Sequence, residues 1–190
     1  MAPQLPLDVP ALVARIDSGE SFSIYPFYGH VPRRPQSVDA ACLSQWYDAP
    51  FEIEGVVYAT AEHFMMAEKA RLFDDAASLA AILSATHPGE AKTLGSRVVP
   101  FDDARWAAAR FDIVVRGNLA KFSQHAALRR FLLSTHGHIL VEASPRDCIW
   151  GVGLAATSPG VHHPGLWRGL NLLGFALMVV RSQLQDVDQA

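Results

Sequence analysis

Cysteine is scarce in this sequence, with only Cys42 and Cys148 among 190 residues. The two cysteines are isolated and no C-x-x-C pair occurs, which excludes a disulfide framework and a zinc ribbon. This usage is typical of a protein in a reducing compartment, and we expect the cytoplasm.

Charged residues are also few, at 18%, and the net charge is -3. This balance argues against a large nucleic-acid footprint, although it leaves open a local basic pocket. The adjacent Arg33 and Arg34 in a proline-containing loop are more typical of a solvated patch, but they are available to touch phosphate.

Long apolar runs are absent as well. The longest, residues 170–180, is interrupted by Asn171 and Gly174 and is too short to span a bilayer, so we expect a buried core helix and no membrane contact. The N-terminus lacks the basic segment and apolar run of a signal peptide.

Several motifs of catalysis and cofactor binding are missing. The sequence contains no G-x-S-x-G, no G-x-G-x-x-G, no P-loop and no H-E-x-x-H, so a hydrolase triad, a nicotinamide or ATP site and a zinc protease site are unsupported. We therefore predict neither a cofactor nor a metal site. Oligomeric state cannot be read from the sequence.

What the sequence does contain is a succession of helix signals with a few strand signals. We predict an α+β fold that is predominantly α-helical, a single domain with a small β element. The predicted strands are an extended segment at 21–28, a hairpin of 51–53 and 56–58, and 138–142. The predicted helices are 9–16, one that begins after an N-cap at Thr60, 75–84, 88–95, 102–121, 126–134 and 171–185.

The helix after Thr60 carries two charges on its apolar stripe. Glu62 and Lys69 share that stripe with Met65, Met66, Leu72 and Phe73, because seven residues make almost two full turns. Their separation along the axis, about 10 Å, is too long for an i,i+4 ion pair. Either the helix dipole favours Glu62 while Lys69 reaches solvent, or the two groups form part of a site.

A second candidate region is the loop after the predicted strand 138–142. It concentrates acidic side chains, Trp150 and two glycines, which suit a loop that binds a ligand: the tryptophan offers a flat face and the glycines allow close approach. A core tryptophan beside a turn is the alternative. The following segment, 165–171, either presents free amides and Arg168 to a phosphate or provides a helix cap at Asn171.

Three stretches together resemble the NADAR family, also called YbiA-like. They are Leu43 to Phe51 with Glu62, His63 and Lys69; residues 119–125; and residues 140–144 with Asp147, Trp150, Gly151, Gly153, Asn171, Gly174 and Arg181. The family's frequent Ser-Asn-Phe stands here as Ser44-Gln45-Trp46, its Leu-Gly-Arg as Leu94-Gly95-Ser96, and the glutamine usual after Glu-His as Met66. On this resemblance, residues 21–187 form the family domain and residues 1–20 an N-terminal extension.

The resemblance implies cleavage of an N-glycosidic bond. The expected substrate is a small ribosylated heterocycle, such as a ribosylamino-pyrimidine phosphate of riboflavin synthesis, or an ADP-ribosylated guanine base in nucleic acid. At the matching positions, Lys69 is the expected Schiff-base nucleophile, Glu62 the general acid/base, and Asp147 a second acid/base or a hydroxyl acceptor. Substrate-binding positions are implied at Trp150, His63, Ser44, Trp46, Gly151 and Asn171.

Three alternatives stay open at this point. Water could attack with help from Glu62 alone; the chain could be a non-catalytic module that binds ADP-ribose or a nucleotide; or it could be a purely structural domain. The hypothesis that the chain is an N-glycosidase predicts that Glu62 and Lys69 line one cavity, with Trp150 at its wall.

Overall fold

The computed structural model describes residues 6–188. The helices and strands are, in chain order, α1 (Val9–Asp17), β1 (Ser23–Phe27), β2 (Phe51–Ile53), β3 (Val56–Tyr58), α2 (Ala61–Leu72), α3 (Ala76–Ser84), α4 (Pro88–Gly95), α5 (Asp103–Gln124), α6 (Ala126–Ser134), β4 (His138–Glu142) and α7 (Leu172–Asp188). The predicted α+β, mainly helical fold is confirmed. No helix within the described residues is long and apolar enough to cross a membrane.

The described chain divides into two compact units, residues 6–29 with 131–188 and residues 30–130, and the division falls within α6. In the first unit, β1 pairs in parallel with β4, from Ser23 opposite His138 to Phe27 opposite Glu142. Helix α7 packs against β4. The core of this unit is built mainly from apolar residues of β4 and α7, which are fully or almost fully buried: Ile139, Leu140, Val141, Leu173, Phe175, Ala176, Leu177 and Val180.

In the second unit, β2 and β3 form the predicted hairpin. Glu54 and Gly55 at its turn both have positive φ, +52° and +78°, the backbone that a two-residue type I′ turn requires. The hairpin leads into α2, which packs against α3, α4 and α5. A β-carbon on Gly117 would lie 2.5 Å from the Phe64 ring, so glycine is what permits α5 to approach α2 this closely.

Helix α2 differs from the amphipathic helix that we predicted. All seven residues from Ala61 to Ala67 are buried, so the first two turns are enclosed on every side rather than along one stripe. A helix enclosed in this way belongs to the interior of a domain. Glu62 and His63 are thus buried because of the position of the whole helix, not because of the face on which they lie.

One buried cation of the first unit should contribute strongly to stability. Arg181 of α7 is 1% exposed, and its guanidinium donates to the Thr135 carbonyl (2.6 Å), the Thr135 hydroxyl (2.9 Å) and the His138 carbonyl (3.0 Å). Burial lowers its pKa. The side chain thereby joins α7 to the segment that enters β4.

We therefore expect Arg181→Met to reduce the free energy of unfolding by about 3 kcal/mol, because two or more buried acceptors lose their donor. The drop in melting temperature should be about 6–12 °C for a chain of this size. Thermal denaturation measures it, with the exposed Arg130→Met as the matched control. Equal melting temperatures in the two variants would contradict this role.

Candidate active site

Glu62 lies in the first turn of α2 and is 3% exposed. Thr60 caps the helix, as predicted, by accepting the His63 N–H. The N–H of Glu62 donates to the Gln45 carbonyl at 3.0 Å. Acidic residues are common in the first turn of a helix, so the local fold holds an ionisable carboxyl group in a buried position.

Lys69 lies two turns further along α2 and is partly buried. Its Nζ atom is 4.2 Å from the centre of the Phe101 ring and 5.6 Å from that of Trp106. Burial lowers the pKa of its amine, while the charge of Asp103 opposes that shift. Lys69, in its surroundings from α2 and from residues 101–106, therefore loses its proton more readily than a lysine in water.

Ser44, Gln45 and Trp46 follow a short 3-10 helix at Ala40–Leu43. The Ser44 hydroxyl accepts the Trp46 N–H at 3.1 Å. The Trp46 ring contacts the rings of His30 and His87, with ring centres at 5.6 and 5.9 Å. The hydrogen bond from the Glu62 N–H to the Gln45 carbonyl joins this segment to the start of α2. The predicted positions Ser44 and Trp46 are therefore the direct neighbours of a residue that contacts Glu62.

His63 is occupied by protein contacts on both ring nitrogens. Nδ1 is 2.8 Å from the Thr60 hydroxyl and Nε2 is 3.2 Å from the Ala85 carbonyl. Burial lowers the pKa of the ring, which favours neutral imidazole. The ring borders a surface cavity of about 230 Å³ with Tyr58, Leu83 and Ala85. A structural role at the junction of α2 and α3 is therefore evident, and substrate contact by His63 remains a prediction.

Helix α5 carries a buried polar cluster that was not predicted from the sequence. Lys121 and Asn118 are both 0% exposed; Lys121 Nζ donates to the carbonyls of Cys42 (2.7 Å) and Ser44 (2.9 Å), and Asn118 Nδ2 donates to Gln45 Oε1 (2.7 Å). Burial lowers the pKa of Lys121 to about 8. One signal in the sequence could have indicated it. Lys121 lies seven residues after the apolar Val114, so the two share a face of the helix, as Glu62 and Lys69 do.

The loop after β4, in the other unit, is held by its own backbone. Asp147 Oδ1 accepts the N–H groups of Ile149 (2.9 Å) and Trp150 (2.8 Å), which fixes a tight turn. Trp150 is partly exposed, and its carbonyl accepts the Leu173 N–H at 3.1 Å. The turn thus fixes the backbone of Trp150, and one oxygen of Asp147 is already committed to it.

Gly151 and Asn171 are structural parts of the same loop. A β-carbon on Gly151 would lie 2.8 Å from the Glu142 carbonyl, so no larger residue fits. Asn171, with φ +54°, donates to the Leu140 carbonyl at 2.9 Å and accepts the Glu142 N–H at 3.0 Å. Asn171 therefore ties the start of α7 to β4, and the predicted contact of Gly151 and Asn171 with substrate is untested.

The suggestion that free amides before α7 hold a phosphate is wrong. In the segment 165–171, the N–H groups of residues 166, 167, 168, 170 and 171 donate to the carbonyls of residues 163, 164, 152, 148 and 151, at 2.8–3.2 Å, and the N–H groups of residues 172 and 173 donate to residues 149 and 150. These N–H groups therefore fix the loop. The bonds also provide partners for the first N–H groups of α7, which have none inside the helix. Within residues 6–188, no cluster of three or more His, Cys, Asp or Glu side chains is arranged to hold a metal ion.

The predicted site residues thus fall into two groups, one in each unit. Glu62, Lys69, His63, Ser44 and Trp46 belong to residues 30–130, and the remaining four, Asp147, Trp150, Gly151 and Asn171, belong to the other unit. The shared cavity predicted for Glu62, Lys69 and Trp150 stays a prediction.

Comparison with known proteins finds several N-glycosidases among the relatives of this chain. N-glycosidase R617 of Acanthamoeba polyphaga mimivirus is 41% identical over 149 residues, 76% of this chain and 88% of the relative. N-glycosidase YbiA of Escherichia coli K12 is 32% identical over 149 residues, 78% and 84% of the two chains. The NMR structure of the E. coli protein YbiA matches with a TM-score of 0.71 at 28% identity, covering 97% of this chain and 96% of that one.

The model of the NADAR domain matches residues 27–185, and the chain belongs to that family. The resemblance stated from the motifs is therefore confirmed. The predicted domain boundary at residue 21 stays a prediction.

Proposed function

We propose that this chain hydrolyses the C1–N bond between a phosphorylated ribose, or ADP-ribose, and an amino-heterocycle, through a Schiff base on Lys69. The relatives that carry a curated activity are N-glycosidases, and this chain is an enzyme of that class. The observation that carries the mechanism is the partly buried Lys69 with its lowered pKa beside two aromatic rings.

The first step uses Lys69 as the nucleophile. Its neutral amine attacks C1 of the ribose, forming the Nζ–C1 bond while the bond from C1 to the heterocycle breaks. The heterocycle leaves with a proton on its nitrogen, for which Glu62 is the proposed donor. As the ribose ring opens, one of the two protons on Nζ passes to the ring oxygen, which leaves a protonated imine on Lys69.

The second step releases the sugar. Water adds to C1 of the imine, the C1–Nζ bond breaks, and the ribose leaves with its C1 oxygen derived from water. In this proposal Glu62, now a carboxylate, accepts a proton from that water. Asp147 is the second candidate for proton transfer, and Trp150 and Trp46 offer flat faces for the heterocycle or the sugar.

The substrate class is tested by heterocycle release from two compounds, a ribosylamino-pyrimidine phosphate and ADP-ribosylated guanosine. We expect turnover of at least one. Inactivity on both, by a preparation that melts cooperatively, would overturn this proposal.

The net charge of -3 favours the small ligand over a long nucleic acid, and two free thiols favour the cytoplasm.

The dependence of activity on pH follows from Lys69. Because attack needs the neutral amine and burial lowers its pKa, kcat/KM should rise with pH and level off below the range of an ordinary lysine, near 10.4. Asp103 raises this pKa, so Asp103→Asn should move the rising limb to lower pH. Asp112→Asn, an exposed change on the same helix, is the control; an unshifted limb in Asp103→Asn would contradict the assignment.

A further inference from the structure

Helix α5 carries a lysine whose environment is unusual. The Lys121 side chain is wholly buried, and its ammonium donates to two backbone carbonyls, those of Cys42 and Ser44. Within residues 6–188, no carboxylate lies within ion-pair distance of it. A buried cation without a carboxylate is costly, and the groups that it satisfies here are two backbone carbonyls of one short segment.

Asn118, one turn earlier, shows the same pattern. Its Nδ2 group donates to Gln45 Oε1 at 2.7 Å and to the Val114 carbonyl at 2.9 Å. Its Oδ1 atom is buried without a hydrogen-bond partner among the described residues. Asn118 thus donates to Gln45 while its own Oδ1 atom stays buried without a hydrogen bond, which is an uncommon and costly arrangement.

These donors converge on one short segment. Lys121 donates hydrogen bonds to the carbonyls of residues 42 and 44, and Asn118 donates one to the side chain of Gln45. The carbonyl of Gln45 is left to accept the N–H of Glu62, which has no partner inside α2 because the first N–H groups of a helix never do. The contacts therefore run without a break from α5, through residues 42–45, to the backbone of Glu62.

We propose that Lys121 and Asn118 are positioning residues of the N-glycosidase site, which orient Glu62 and Trp46 by fixing the backbone of residues 42–46. This inference rests on the proposed function. Lys121 is not itself the nucleophile, because its amine is wholly enclosed and already bound to two carbonyls. Lys69, by contrast, reaches solvent.

The test uses Asn118→Leu, which keeps the volume and removes the donor, together with Lys121→Met. Phe122→Leu is the matched control, since Phe122 is equally buried on the same helix. We expect Asn118→Leu to lower kcat about 10- to 100-fold with a smaller change in KM, as a small misplacement of a catalytic group does. Phe122→Leu should lower the melting temperature and leave kcat unchanged.

Hydrogen exchange measured by NMR gives a second readout that needs no turnover. In Asn118→Leu the Glu62 amide should exchange faster, while the Phe64 amide, which donates to Thr60 within α2, should not. Unchanged exchange at Glu62, or a kcat equal to that of Phe122→Leu, would overturn the proposal, even if Lys121→Met does not fold. If the wild type cleaves neither substrate, the proposed function fails, and exchange at Glu62 still decides whether these residues fix the segment.

Discussion

Lys69→Met should abolish N-glycosidase activity, by roughly a thousandfold or more, because it removes the proposed nucleophile and keeps the apolar stem. The fold should survive, since Lys69 is only partly buried and its ammonium is held by the rings of Phe101 and Trp106. Single-turnover release of the heterocycle measures the loss, and a melting curve verifies the fold.

The matched control is Lys92→Met, an exposed lysine of α4, which should retain full activity. Full activity in Lys69→Met would exclude the Schiff base. If Glu62→Gln were inactive at the same time, water attack assisted by Glu62 would replace it as the mechanism.

Glu62→Gln should lower kcat by about 10²- to 10⁴-fold, the usual range for the loss of a general acid/base. Glutamine has nearly the same shape, and the backbone bond from residue 62 to the Gln45 carbonyl is unaffected, so the loss should reflect proton transfer. Rates on a substrate with a better leaving heterocycle should fall less, because that heterocycle needs less protonation.

Glu52→Gln, an exposed carboxylate of β2, serves as the control. If Glu62→Gln kept its activity, Asp147 would be the next candidate. Asp147→Asn retains an oxygen for the N–H groups of Ile149 and Trp150, so a loss of activity there would report chemistry and not collapse of the turn.

The sequence was sufficient for elements that local signals define. Thr60 was predicted as the cap of α2, and the two residues between β2 and β3 as a tight turn, because capping and turn geometry depend on a few neighbouring residues. Helix ends were less certain: α5 continues to Gln124, three residues past the prediction, since nothing before His125 breaks it.

Long-range pairing was not accessible. The extended segment at 21–28 was predicted, but its parallel partner, β4, lies more than 100 residues away, and no local pattern specifies such a partner. For α5, spacings of seven, four and three residues predicted an apolar stripe of Trp106, Ile113, Gly117 and Ala120. Of these only Gly117 is buried, and the enclosed face is formed by Val114, Gly117, Asn118, Lys121 and Phe122. Two polar residues on that face concealed it from a test based on hydrophobicity.

The motifs located candidate site residues without separating their roles. The structure adds burial for Glu62, and partial burial with a lowered pKa for Lys69, which suit the proposed chemistry. His63 and Asn171 belong to the same motifs, yet their polar atoms are bonded to Ala85 and to β4. A sequence pattern records that a residue is required, whereas only contacts distinguish a residue that supports the fold from one that is free to meet a ligand.

The central claim is that Lys69 becomes covalently attached to the sugar. Borohydride added during turnover should reduce the imine to a stable amine, and peptide mass spectrometry should then find the added ribose, or ADP-ribose, on the peptide that contains Lys69. Lys121 and Lys92 should remain unmodified, and Lys69→Met should give no adduct. An adduct on Lys121, or rapid turnover with no adduct on any lysine, would contradict this account.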